Sequence, residues 1–235
     1  MERKFSFSVD EYYHIYSRGV EKREIFLANS DRDRFLRLLF LSNSNKPYKF
    51  REMKDIQYSA FERGELNIAI GAYCLMPNHF HLLLRETKEG GISEFMAKLL
   101  TGYSMYFNKR NDRKGALFES RYQAQQVDSD NYLKYLFAYI HLNPIKLIQS
   151  DWKEKGITNQ RAAEDYLKKY RYSSYEDYMG SEREESLILT KESFPEYFEQ
   201  PRDFKDFITD WLTYRDEEEG IDPVKPMVTS KETED

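Results

Sequence analysis

The sequence predicts an α+β fold, with a layer of mostly antiparallel sheet and helices on one side of it. Short β-branched and aromatic segments bounded by turn residues indicate strands. Longer segments with apolar residues three or four positions apart indicate helices. The two kinds of segment are interspersed, without the regular strand–helix alternation of a parallel sheet. This order favours helices packed against an antiparallel sheet.

The first strand and the first helix are predicted near the start of the chain. Residues 10–18 are rich in Tyr, Ile and His and end at a glycine, which is typical of a strand followed by a turn. Residues 31–42 repeat Phe and Leu at near-helical spacing after Ser30-Asp31, a plausible helix cap. The polar stretch 43–66 has neither period, so we expect a connection with short elements.

A β-hairpin is predicted over residues 67–85. Residues 67–76 form a nearly continuous apolar run, which is typical of a buried strand. Pro77 and Asn78 then supply the turn, and residues 79–85 return as a second strand.

A second helix is predicted after a Gly-Gly break, from a cap at Ser93 to about Asn108. A basic turn over residues 109–115 leads from this helix into a strand expected at 117–127. The inner face of the helix would consist of Phe95, Leu99, Tyr103, Tyr106 and Phe107.

The next helix is predicted from Asp130 to Leu142, with Asp128 or Ser129 as its cap. Pro144 disfavours helical geometry at Asn143, so we expect the helix to end there. Its core-facing stripe would consist of Leu133, Leu136, Phe137 and Ile140.

The chain divides into three parts in this interpretation. Residues 1–150 contain the sheet and its helices, and residues 151–215 form a helical C-terminal extension with helices near 159–169 and 203–215. Residues 216–235 are acidic and contain proline, so we expect a disordered tail.

Composition excludes several classes of protein. Of 235 residues, 40% are hydrophobic and 16% aromatic, which is ample for a packed core. No apolar run approaches the length of a membrane span, and the first residues do not resemble a secretory leader. The single cysteine, Cys74, cannot form an internal disulfide and fits a reducing cytoplasm as a small buried hydrophobe.

The distribution of charge permits an anionic partner although the net charge is −5. Residues 200–235 carry eleven acidic against five basic residues, so the remainder of the chain is close to neutral. Residues 98–126 carry six basic against two acidic residues, a local balance of +4. Such a patch suits phosphate binding, and a merely solvated loop is the alternative.

The triplet His79-Phe80-His81 is the sharpest local motif. In a strand, residues two positions apart point to the same face, so the two imidazoles would project together while Phe80 enters the core. Two neighbouring imidazoles are suitable metal ligands. Half of the four histidines in the chain lie in this triplet.

Tyr139 and Asn143 form the second candidate pair. They lie four residues apart, so their side chains share a helix face at the border of the buried stripe. His141 falls on the opposite flank, which makes it a poor third ligand. Spacing alone does not distinguish Tyr139 from the other tyrosines of this helix, for which packing is the alternative role.

At this point the motifs resemble a known family. Residues 75–83, LMPNHFHLL, are similar to the metal-binding strand of the bacterial single-tyrosine HUH transposases, and residues 139–146, YIHLNPIK, are similar to the end of their catalytic helix. Three shorter segments agree in order and spacing, namely YHIYSRG at 13–19, FESRY at 118–122 and YSSY at 172–175. Because the chain extends beyond the catalytic helix, it resembles the REP-associated branch more than the shortest insertion-sequence enzymes.

The resemblance implies roles for particular residues. His79 and His81 would bind a divalent metal, Mg²⁺ or Mn²⁺, with Asn143 as third ligand through its amide oxygen. Tyr139 would be the nucleophile that cleaves and rejoins single-stranded DNA through a 5′-phosphotyrosine link. The resemblance also implies a ferredoxin-like sheet in residues 1–150, a hairpin-bearing DNA target and a cytoplasmic, nucleoid-associated location.

Several assignments stay open at this level. Glu119 is a candidate general base. The protein could be a monomer or a homodimer. A domesticated, non-catalytic protein of the same fold that binds DNA hairpins is the main alternative, and a structural Zn²⁺ site lacks the ligands for a closed site. Candidate contacts to the DNA backbone are Arg18, Arg110, Arg113, Lys114 and Arg121.

Overall fold

Four antiparallel strands form the central sheet of the protein, whose computed structural model describes residues 6–53 and 55–213. The strands are β1 (Tyr12–Arg18), β2 (Ile68–Met76), β3 (His79–Glu86) and β4 (Gln123–Val127). Their order across the sheet is β2-β3-β1-β4, so β3 and β1 are central.

Eight α-helices accompany the sheet within the described residues. In chain order they are α1 (Asn29–Ser42), α2 (Phe50–Met53), α3 (Gly91–Arg110), α4 (Asp130–Leu142), α5 (Trp152–Lys155), α6 (Gln160–Lys169), α7 (Tyr175–Tyr178) and α8 (Pro201–Thr213). The hairpin and the helices predicted near 31–42, 130–142 and 159–169 are therefore confirmed, with ends shifted by a few residues at most.

The connections give the sheet a ferredoxin-like topology. Helix α1 connects β1 to β2, and α3 connects β3 to β4, so each connection passes over one intervening strand. Both helices pack on the same face of the sheet. Their apolar residues, including Phe35 and Tyr103, share one core with Tyr13, Ile15 and Phe80. The predicted antiparallel sheet with a helical layer is confirmed.

Helix α4 lies on the face of the sheet opposite α1 and α3, outside the predicted helical layer. Leu136 and Ile140 of α4 share a second core with Cys74 and Leu83, which point away from α1 and α3. The physical reason is the pattern of β2, which is buried at every position and needs cover on both faces. The predicted inner stripe of α4 is nevertheless buried as expected.

Some predicted boundaries also differ. The strand expected at 117–127 is regular only from Gln123. The segment before Gln123 forms one isolated bridge, between Phe118 and Gly19, the residue after β1. Helix α3 begins at Gly91 rather than after Ser93, and Glu86 Oε2 accepts a hydrogen bond from Ile92 N near its start at 2.8 Å. The Ser129 cap of α4 is confirmed, since its hydroxyl accepts from Tyr132 N.

The C-terminal extension packs onto the same face as α4. Leu167 of α6, Tyr178 of α7 and Phe204 of α8 belong to the second core. A buried ion pair lies within this region. Arg183 Nη2 is 2.6 Å from Asp177 Oδ2. The acidic tail predicted at 216–235 lies outside the described residues. No helix in the described part of the chain is long and apolar enough to cross a membrane.

Candidate metal and tyrosine site

His79 and His81 project from the same face of β3, as the alternation of strand residues requires. Their ring centroids are 5.0 Å apart. Phe80 between them is fully buried in the opposite core, where its ring lies 5.1 Å from that of Phe35. The anchored phenylalanine thus fixes the direction of both imidazoles.

Each imidazole makes a hydrogen bond through Nδ1. His79 Nδ1 lies 2.6 Å from Asn78 Oδ1, and His81 Nδ1 lies 2.9 Å from Nε2 of His14. Where Nδ1 carries the proton and donates, Nε2 holds the lone pair that a metal requires. Both histidines can therefore coordinate a metal through Nε2.

His14 was not among the residues singled out from the sequence. It lies on β1, is fully buried, and its Nδ1 atom has no hydrogen-bond partner within residues 6–53 and 55–213. Burial lowers the pKa of His14 to about 3, so the ring is neutral at pH 7. Strand parity could have identified it, since Tyr16 pairs with His81 and His14 shares the face of Tyr16.

Tyr139 reaches His81 and His14 from α4. Its ring centroid is 5.3 Å from that of His81 and 6.0 Å from that of His14, with nearly perpendicular planes. On its other side it stacks against Tyr135 at 6.1 Å. Only 4% of Tyr139 is exposed. The structure thus places the Tyr139 ring beside His81, one of the two imidazoles that the sequence singled out, in a closed arrangement.

Asn143 follows Tyr139 by one helical turn and is fully buried. Contrary to the expectation from Pro144, it keeps helical dihedral angles and begins a 3-10 turn. Its Nδ2 donates to the carbonyl of Tyr139 at 2.9 Å. That carbonyl can only accept, so Oδ1 faces the other way, and Oδ1 is buried with no hydrogen-bond partner in the described part of the chain.

An unsatisfied buried amide oxygen is costly unless a further partner binds it. A divalent metal is a suitable partner, because two neutral imidazoles and an amide oxygen are acceptable ligands for Mn²⁺ and, less favourably, for Mg²⁺. Among the residues described, no cluster of three or more His, Cys, Asp or Glu side chains could hold a metal. The unpartnered amide oxygen of Asn143 is a donor of the kind that fits the implied metal beside the two imidazoles.

Lys146 adds positive charge to this site. Its Nζ lies 5.4 Å from the centroid of the Tyr139 ring. Burial, together with the charges of Lys146 and Arg18, lowers the pKa of His79 to about 4. The sequence contained Lys146 at the end of the motif at 139–146, but spacing alone gave no reason to place it over the tyrosine ring.

Comparison with known proteins identifies part of this architecture. The family model described as "Transposase IS200 like" matches residues 51–143, a range that includes both histidines of β3, Tyr139 and Asn143. The chain is similar to this family over those 93 of its 235 residues. No curated protein matches the chain.

Among solved structures, the chain is similar to one described as "Structure of the REP associates tyrosine transposase bound to a REP hairpin". The two share 13% sequence identity with a TM-score of 0.46, and the alignment covers 77% of this chain and 86% of the other.

Arg18, the last residue of β1, forms an ion pair with Glu119. Arg18 pairs with His79 across β1 and β3. Its Nε and Nη2 atoms each lie 3.1 Å from an oxygen of Glu119, and 45% and 36% of the two side chains are exposed. Both carboxylate oxygens of Glu119 therefore accept hydrogen bonds from Arg18.

The other basic candidates lie at the end of α3, in the turn after it and just before β4. Arg110 and Arg113 end α3 and its turn, on the opposite helical layer. Arg110 Nη1 lies 3.1 Å from the buried carboxylate of Asp31, and Arg113 Nη1 donates to Asn108 Oδ1 at 2.9 Å. Lys114 in the same turn is exposed, and so is Arg121, just before β4.

His141 lies away from the candidate ligands. It is fully buried, and its Nδ1 and Nε2 atoms lie 2.8 Å from the carbonyl of Phe137 and 2.7 Å from the hydroxyl of Ser174. Both ring nitrogens are thus occupied, Nδ1 within α4 and Nε2 in a contact that joins α4 to the C-terminal extension, in keeping with the opposite flank expected from the sequence.

Proposed function

We propose that the protein cleaves and rejoins single-stranded DNA, with Tyr139 as the nucleophile and a divalent metal held by His79, His81 and Asn143. The proposal is supported chiefly by the position of Tyr139 on α4 next to His81 on β3. The centroids of their two rings are 5.3 Å apart. The match of residues 51–143 to the family model described as "Transposase IS200 like" supports an activity on DNA.

Cleavage would proceed by attack of the Tyr139 oxygen on a backbone phosphorus. The new bond joins tyrosine to the 5′-phosphate, and the bond from phosphorus to the 3′-oxygen breaks. The phenol proton passes to water, and the departing oxygen takes up a proton as a 3′-OH. A 3′-OH from another strand can reverse these changes and release Tyr139, so rejoining needs no ATP.

The three donor groups support metal binding in complementary ways. The hydrogen bonds at Nδ1 of His79 and His81 orient the Nε2 edges, and Asn143 Oδ1 is the buried oxygen that lacks a protein partner. When bound, a divalent metal would withdraw charge from a non-bridging oxygen of the scissile phosphate.

Lys146 and Arg18 would supply the remaining positive charge. A cation beside a phenol favours its ionised form, and Lys146 is placed for that role over the ring of Tyr139. Arg18, which pairs with Glu119, can bind a phosphate of the DNA backbone in the same bidentate manner.

The burial of Tyr139 constrains how DNA would enter. Since 4% of this residue is exposed, the phenol must be uncovered before it can attack.

The DNA would be single-stranded at the cleaved position, because a small sheet with a covered tyrosine cannot reach a phosphate within an intact duplex. The sequence motifs further indicate a hairpin beside that position, as in the family that they resemble. Among the candidate contacts, Arg18 lies beside the histidines. Arg121 precedes β4, whereas Arg110, Arg113 and Lys114 would contact a more distant part of the DNA.

The decisive experiment incubates the full-length protein with hairpin-bearing single-stranded DNA and Mn²⁺. We expect a covalent protein–DNA adduct that survives detergent, appears with a free 3′-OH, and is absent in EDTA. Tyr139→Phe should still bind the hairpin without forming the adduct. Tyr135→Phe, the neighbouring stacked tyrosine, serves as the matched control and should form it.

Two results would contradict the proposal. Adduct formation by Tyr139→Phe would assign the nucleophile to another residue. Hairpin binding by the wild type with no adduct under any metal condition would favour the non-catalytic hairpin-binding alternative.

A further inference from the structure

We propose that His14 is a positioning residue that holds His81 in the tautomer and orientation required for metal binding. The inference rests on the proposed function, in which His81 is a ligand. His14 lies on β1, outside the range matched by the transposase family model.

The contact between His14 and His81 is specific. Nε2 of His14 lies 2.9 Å from Nδ1 of His81, and the two rings are stacked with centroids 5.1 Å apart and planes at 20°. Both residues lie on the central strands of the sheet, where β1 and β3 pair in a continuous register. The hydrogen bond therefore joins two rigid elements and restricts rotation of the His81 ring.

This bond also determines the location of the protons. A neutral imidazole carries one N–H, so one of the two histidines must donate and the other accept. When His81 donates from Nδ1, its Nε2 holds a lone pair and can bind a metal. When His14 donates from Nε2, the proton of His81 occupies Nε2 and blocks coordination. Metal binding therefore requires His14 to act as the acceptor.

Accepting this hydrogen bond is unfavourable for His14 itself. Its own proton then lies on Nδ1, which is buried without a hydrogen-bond partner in the described part of the chain. A buried N–H with no partner is unfavourable, and an apolar side chain at this position would avoid that penalty. A contribution to the metal site explains why a histidine occupies this position.

The experiment compares Mn²⁺ affinity, measured by titration calorimetry, in the wild type, His14→Phe and His14→Gln. Phenylalanine retains an aromatic ring but cannot accept a hydrogen bond, whereas the glutamine amide oxygen can accept one from His81 Nδ1. We expect His14→Phe to bind Mn²⁺ about 10- to 100-fold more weakly, as is usual for loss of an outer partner of a metal ligand. His14→Gln should recover part of the affinity.

Two controls separate this effect from damage to the fold. Ser17→Ala changes a buried residue on the opposite face of the same strand and should leave Mn²⁺ affinity unchanged. Thermal unfolding in EDTA should show His14→Phe to be about as stable as the wild type, because the variant removes one unpaired ring N–H, on His14, and leaves another, on His81. A purely structural role for His14 would instead predict a loss of stability without metal.

A spectroscopic measurement decides the question even if His14→Phe fails to fold. The chain has only four histidines, so their ring nitrogens can be assigned by ¹⁵N NMR in the wild-type protein. With Mg²⁺ bound, we expect His81 and His14 both to carry the proton on Nδ1. A protonated Nε2 on His14 in the metal-loaded protein would overturn the inference.

The outcomes distinguish this inference from the proposed function. If the wild type binds no divalent metal, the metal-dependent function itself fails. If the wild type binds Mn²⁺ through His79 and His81 while His14→Phe binds equally well, only the role of His14 is overturned.

Discussion

The rings of Tyr139 and His81 meet edge to face, with centroids 5.3 Å apart and planes at 83°. Tyr139 is carried by α4 and His81 by β3, two elements that pack together through the second core of the protein. Because both side chains project from well-packed elements, their relative position depends on how α4 lies on the sheet. Substitutions that change the surroundings of this pair should therefore affect its chemistry before they affect the fold.

The orphaned oxygen of Asn143 gives a test of the donor set. Asn143→Ala and Asn143→Asp both lose the hydrogen bond from Nδ2 to the carbonyl of Tyr139, but only aspartate retains an oxygen ligand. We expect Asn143→Ala to weaken Mn²⁺ binding by at least about tenfold, since loss even of an outer partner has effects of that size. Asn143→Asp should keep most of the affinity in the same titration. Equal binding by both variants and the wild type would exclude Asn143 as a ligand.

The charge of Lys146 should matter for the rate of cleavage. Lys146→Met removes the cation over the Tyr139 ring while keeping a long side chain. We expect adduct formation to slow by about 100-fold or more under single-turnover conditions, because groups that assist proton transfer typically contribute about 10²–10⁴-fold. Lys146→Arg retains the charge and should be much closer to the wild type. A normal rate in Lys146→Met would remove Lys146 from the mechanism.

The Arg18–Glu119 ion pair separates two roles for Glu119. Since both carboxylate oxygens accept hydrogen bonds from Arg18, we expect Glu119 to orient that arginine rather than remove the phenol proton. Glu119→Gln should then retain adduct formation, whereas Arg18→Met should weaken binding to single-stranded DNA, with a smaller dependence on salt concentration. Loss of adduct formation with normal DNA affinity in Glu119→Gln would indicate a general base instead.

The buried ion pair of the C-terminal extension should dominate its stability. Asp177 accepts from Arg183 Nε at 2.8 Å and from Ser186 Oγ at 2.7 Å, and its side chain is fully buried. Arg183→Met leaves that carboxylate without its counter-charge, so we expect the free energy of unfolding to fall by about 3–5 kcal/mol. Urea denaturation measures this loss.

The exposed pair between Arg202 and Asp206, at 3.6 Å, provides the comparison. Arg202→Met should leave the urea midpoint nearly unchanged, because exposed ion pairs contribute little to stability. Similar losses of unfolding free energy in Arg183→Met and Arg202→Met would contradict the expectation that the Arg183–Asp177 ion pair dominates the stability of the C-terminal extension.

The local structure of the site could be predicted because it follows from short periodicities. Strand alternation fixes His79 and His81 on one face and sends Phe80 to the other. Helical spacing places Tyr139 and Asn143 one turn apart, and turn residues at Pro77-Asn78 define the hairpin. These relationships join residues within one element or one hairpin, so they do not depend on distant parts of the chain.

The amino-acid order by itself determined the main helices and strands, the pair of histidines on one face of β3, and the tyrosine–asparagine pair of α4. Only the tertiary structure decided that α4 lies on the face opposite α1 and α3, that His14 binds His81, that Lys146 covers Tyr139, and that Asn143 Oδ1 has no protein partner in the described residues. The physical reason is that these contacts join segments far apart in the chain. Periodicity identifies which side of a helix or strand is buried, but it does not identify the partner that buries it.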